Sequence, residues 1–124
     1  MATKKKSDST YEKVKEIFLS FPEAVETITW GKPHFRVKDK IFGGFGEENG
    51  KPSIGFKLAM DHADILVQND ARFERAPYVG HKGWVSMDAS KVKDWKELRA
   101  LVEESYRLIA PKKLVAQLDA RNAG

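Results

Sequence analysis

With 124 residues, 41% hydrophobic and 32% charged, the chain has the length and composition of one globular domain, and no apolar run approaches the roughly 20 residues that cross a bilayer. The lack of cysteine excludes disulfides, thiolate catalysis and thiolate metal sites, and with no secretory pattern at the N-terminus a cytoplasmic location is expected. The net charge of +4 owes most to Lys4, Lys5 and Lys6, so the remainder is almost neutral and bulk charge alone does not argue for a nucleic-acid partner.

Residues 1 to 9 read as a flexible basic tail and 10 to 121 as a single domain. Ser9 and Glu12 have the spacing of a capping box, and Val14, Ile17, Phe18 and Phe21 follow at helical intervals, predicting a helix from about Thr10 to Ser20. Pro22 ends it, residues to Glu26 add a short turn, and Trp30-Gly31-Lys32-Pro33 breaks the pattern. Phe35 and Val37 then alternate with His34, Arg36 and Lys38, and after a turn at Asp39 and Lys40 the chain returns over Ile41 to Phe45. Gly43, Gly44 and Gly46 weaken that strand and indicate a bulge or the close approach of another backbone.

Asn49-Gly50 is a tight-turn signal, after which Ile54, Phe56 and Leu58 mark one face of a third strand. Asp61 to Gln68 reads as a short helix, Ala71 to Pro77 as a connector, and Gly83 to Met87 as a strand with Trp84 and Ser86 facing away from Val85 and Met87. Asp94 and Glu97 form a second capping box, opening a helix with Leu98, Leu101, Val102, Leu108 and Ile109 as its apolar stripe. Pro111 stops it, and Lys112 to Arg121 make a last helix. A helix, then antiparallel strands, then helices predicts an α+β sandwich with helices on one sheet face and the other face free.

Phe21-Pro22-Glu23-Ala24, Trp30-Gly31-Lys32-Pro33, Phe35-Arg36-Val37, Lys40-Ile41-Phe42, the Ala76 to Val85 segment, Asp94-Trp95, Leu98, Ser105-Tyr106 and Ala110 to Lys113 together resemble the MmcQ/YjbR family of small bacterial proteins. The match spans about Tyr11 to Leu118. The resemblance implies a frataxin-like (CyaY-like) α/β sandwich, usually monomeric, proposed to bind DNA through wing-like hairpins. On this chain one wing would be the Lys38 to Lys40 hairpin.

Arg36, Lys38 and Lys40 bracket that hairpin and suit phosphate contacts. Glu47 and Glu48 make the Asn49-Gly50 turn a poor second wing, so the Tyr78 to Trp84 loop is nominated instead. There His81 and Lys82 can meet phosphate while Tyr78 and Trp84 stack on exposed bases, and Lys57 adds a further cation. The same lysines also fit the role of solvated edge residues. Trp84, and still more Trp30 and Trp95, fit a core role, and the Tyr106 hydroxyl is expected at the surface. Three scattered histidines lack metal spacing, the acids of the first helix are interleaved with lysines, and no catalytic motif is present, so no cofactor, metal or catalysis is expected. The alternatives are a small-molecule or enzymatic pocket under the Tyr78 to Trp84 loop, and a protein-interaction module on the exposed sheet face.

Overall fold

Period-two patterning and tight turns lay the middle of the chain out as a six-stranded antiparallel sheet in the order β1-β2-β3-β4-β6-β5. The computed structural model describes residues 6–48, 50–76 and 82–123, so Tyr78 and His81 lie outside the described residues. The elements are α1 (Lys6–Leu19), β1 (Val25–Thr29), β2 (Lys32–Val37), β3 (Lys40–Glu48), β4 (Lys51–Lys57), α2 (Met60–Asn69), β5 (Phe73–Arg75), β6 (Trp84–Asp88), α3 (Trp95–Ile109) and α4 (Lys112–Ala123).

Register decides which residues share the inner face. Phe35 pairs Gly43, Gly43 pairs Phe56, Phe56 pairs Val85 and Ile54 pairs Met87, giving an apolar row on which the helices rest. Val14 and Phe18 of α1, Leu98, Leu101 and Val102 of α3, and Leu114 and Leu118 of α4 close over that row in one core. The Phe18 ring stacks on Phe35 with centroids 4.3 Å apart and lies across Gly43, where a Cβ would come within 2.0 Å of the ring. Gly43 is therefore a packing glycine, set by the close approach of a helix.

The expected bulge is present. Phe35 faces Gly43 but Arg36 faces Ile41, leaving Phe42 as the extra residue of β3. Both Phe42 and Gly43 thereby serve the core. Where β3 and β4 diverge at this point, Ser105 of α3 fills the gap: its hydroxyl donates to the Phe42 carbonyl at 2.6 Å and accepts from the Lys57 amide at 2.9 Å.

Several expectations change. α1 begins at Lys6, so Ser9 sits within the helix instead of capping it. β1 and β5 add to the expected strands; both are edge strands that exist through pairing with β2 and β6. Asp94 does cap α3, accepting from the Lys96 amide, but Glu97 does not reach back to complete the box, because its carboxylate pairs with Arg72. Leu108 is exposed and the stripe of α3 continues instead through Ser105 and Tyr106. The Tyr106 hydroxyl is buried and donates to the Pro22 carbonyl at 2.8 Å, tying α3 to the turn after α1.

Tyr11 of α1 donates to the Glu26 carboxylate of β1, which Lys15 approaches at 3.5 Å. Burial, then this hydrogen bond and the Glu26 charge, push the Tyr11 hydroxyl up to about 12. A phenol that holds its proton more tightly in the folded chain contributes stability in full below about pH 10, and the contribution is lost as the pH rises toward about 12. Thermal melts across that alkaline window should therefore fall more steeply for the native chain than for Tyr11→Phe. Parallel curves would rule out the coupling.

Candidate functional site

The sheet face turned away from the helices carries the residues between the core positions. Gly44 pairs Gly55 and Gly46 pairs Ser53, so side chains are missing or small on two adjacent strands at the same level. On one side β2 places His34 opposite Gly44, and on the other β6 places Ser86 opposite Gly55 and Trp84 opposite Lys57. Bare backbone floored by glycine and walled by longer side chains makes a trough of about 410 Å³, lined by strand residues and Ala76. The volume falls within the range of small-molecule sites, roughly 300 to 1,000 Å³.

The glycines differ in what they permit. A Cβ on Gly44 would meet the His34 ring and the Pro33 carbonyl at 3.3 Å, and one on Gly46 would meet the Lys32 side chain at 3.4 Å. A Cβ on Gly55 would find nothing nearer than the Val85 carbonyl at 4.0 Å and would project into the open trough. The Lys32 stem lies along Gly46, which puts its ammonium at the trough margin. Ala76, two residues before the loop nominated from sequence, and Trp84, its last residue, both line the trough and are joined by a 3.1 Å hydrogen bond from the Ala76 amide to the Trp84 carbonyl.

A six-stranded antiparallel sheet with helices on one face has close counterparts among solved structures. A crystal structure of a Deinococcus radiodurans protein with the family domain DUF419 superimposes with a TM-score of 0.72 at 16% identity, covering 88% of this chain and 87% of that one. A Pseudomonas syringae protein superimposes with a TM-score of 0.61 at 15% identity, covering 85% and 98%. No curated protein matches the chain in sequence. The YjbR family model matches residues 19–108. The chain belongs to the YjbR family. The matched span runs from the end of α1 to near the end of α3 and so includes every strand and the whole trough.

Within this YjbR chain the nominated residues separate into two groups. Arg36, Lys57 and Trp84 stand on the face turned away from the helices; Trp84 lines the trough, whereas Arg36 and Lys57 are not among its lining residues. Lys38 and Lys40 stand at the β2–β3 turn, where Lys38 and Asp39 both take positive φ, 49° and 67°. That tip is partly occupied by its own contacts: Lys38 pairs with Glu23 at 2.7 Å, which holds its ammonium above the usual lysine range, and Arg36 donates to Thr27 Oγ1 and the Asp39 carbonyl, both at 3.0 Å. Among the described residues, Lys32, Lys40, Lys57 and Lys82 make no ion pair.

Trp30 overturns its assignment to the core. It is 95% exposed at the tip of the β1–β2 hairpin, where it and Gly31 take φ of 56° and 75°. Two consecutive positive φ values make the primed turn that joins tightly paired strands, and at that position the side chain points into solvent. Trp95 and Trp84 are both partly buried. Sequence reasoning does not nominate Lys32, His34, Ser53, Ser86 or the Gly44–Gly55 pair. Lys32 and His34 are readable as alternating positions of β2, but the glycine pair requires knowing that β3 and β4 stand in that register. Among the described residues no group of three or more acidic or histidine side chains is placed to hold a metal ion. His62 is instead engaged by Glu104, which also accepts from the Ala59 amide at 2.9 Å and so pins the start of α2.

Proposed function

We propose that this YjbR chain binds DNA with its open sheet face, using Lys32 at the trough margin and Lys57, the register partner of Trp84, as phosphate contacts and Trp84 as an apolar wall. The observation that carries the reading is Lys32, without an ion pair among the described residues, at the margin of an aromatic-walled concavity on the sheet face turned away from the helices. Lysine contacts to phosphate supply affinity without reading sequence, and an aromatic wall adds contact with any base. Lys40, at the β2–β3 turn, and Lys82, just before β6, are further cations without an ion pair among the described residues, whereas the Lys38–Glu23 pair removes one cation from the hairpin tip. A flat small molecule is the second reading, favoured by the volume of the trough.

The test is the double charge reversal Lys32→Glu with Lys57→Glu, followed by salt titration against double- and single-stranded DNA. For each phosphate that the variant no longer neutralises, the slope of log affinity against log salt should become shallower by about 0.9 on a duplex and about 0.7 on a single strand. Reversing Lys112 and Lys113 on α4, which packs on the helical side, changes net charge equally and should leave that slope closer to native. Equal losses of affinity from the two pairs would refute a localised interface.

A further inference from the structure

We propose that the glycine-floored trough is a receptor for one unpaired nucleobase, its ring lying on the Gly44–Gly55 backbone with the adjoining phosphate at Lys32, so that the chain prefers single-stranded to duplex DNA. This rests on the DNA-binding reading and goes further by naming the form of DNA. Gly44 and Gly55 are direct cross-strand partners, so two neighbouring strands present bare peptide at one level, a platform with no side chain standing on it. The strands bearing the walls, β2 and β6, are separated by three interstrand steps, about 14 Å, leaving room for a ring between His34 on one side and Trp84 with Ser86 on the other.

A base inside a duplex offers only its edges, because both ring faces are stacked; a platform that contacts the face of a ring therefore takes a base out of the stack. Ser53, on the trough floor, places a hydroxyl where the edge of such a ring would fall. The Lys32 ammonium, running along Gly46 with no ion pair among the described residues, stands two residue pairs along the strands from the platform, about 7 Å, the scale of the step from base to backbone phosphate.

The experiment measures binding of the full chain to three labelled probes of one sequence and length: a single strand, its duplex, and a single strand of abasic sites, which keeps the phosphates and lacks the rings. The single strand should bind roughly tenfold more tightly than the other two, the effect expected of stacking one base. Gly55→Val should abolish that preference and leave the weak salt-dependent binding, since a Cβ there meets nothing nearer than the Val85 carbonyl at 4.0 Å and the branched side chain then occupies the trough. The abasic comparison uses only the native chain, so it holds even where the variant folds poorly. Equal affinity for all three probes would overturn the base receptor while leaving DNA binding standing. Binding to none of them would overturn both.

Discussion

Gly83→Ala is expected to destabilise the fold by about 3 kcal/mol or more. Gly83 has a φ of 94°, and its added Cβ would stand 2.1 Å from the Leu58 carbonyl oxygen. A non-glycine residue at such a φ costs about 1 to 3 kcal/mol, and overpacking adds a comparable amount. The obstacle is backbone and cannot swing aside. Leu58 is held in place because its own amide donates to the Gly83 carbonyl at 2.9 Å, so relief of the clash breaks that bond. Trp84 follows Gly83 directly, and its pairing with Lys57 sets the trough wall. A urea midpoint unchanged from the native chain would show that the two segments separate at little cost.

Ser105→Ala is expected to cost about 2 to 4 kcal/mol for the loss of one oxygen. The serine is fully buried, and its hydroxyl serves the Phe42 carbonyl and the Lys57 amide at once. Leaving a buried polar group without a partner costs about 1 to 3 kcal/mol, and here two backbone groups are stranded together at the bulge. Ser90→Ala, which removes an exposed hydroxyl bonded to Asp88, should stay within about 0.5 kcal/mol by the same denaturation measurement. Equal losses of stability for the two serines would mean that water replaces Ser105 at the strand gap.

The parts of the fold legible in the sequence are those in which one residue pattern suffices. Ile54 and Phe56 alternate on a strand that is central in the sheet, and both are buried as their spacing predicts. β1 is not legible because it is an edge strand whose Val25 and Ile28 remain exposed, so burial imposes no alternation on it. β5 is three residues long and is defined by its partner β6 more than by its own composition. Tyr106 is misplaced by sequence reasoning because a tyrosine commonly keeps its polar tip wet, and nothing local reveals that the Pro22 carbonyl, 84 residues away, receives it.

The candidate site is legible only as separate pieces. Arg36, Lys57 and Trp84 are recognisable by chemistry, and the open face they share follows from strand alternation. The platform is not, because Gly44 and Gly55 lie on different strands and act as one surface only through their register. Trp30 illustrates the opposite failure: a large aromatic predicts burial on average, while Gly31 beside it selects a primed turn that directs the indole outward.

The Phe42 bulge allows consecutive residues of β3 to answer to different demands, with Phe42 and Gly43 held by the helices and Gly44 left to the trough. Drift at positions 46, 53 and 55 is thereby insulated from the requirements of folding, whereas drift at 42, 43 and 105 is not, and 44 is limited by the Pro33 carbonyl beside it. One side of β3 and β4 can therefore be recoloured while the other stays nearly constant, and a library randomised at 46, 53 and 55 should yield mostly folded proteins, whereas one that also varies 44 should lose more of them.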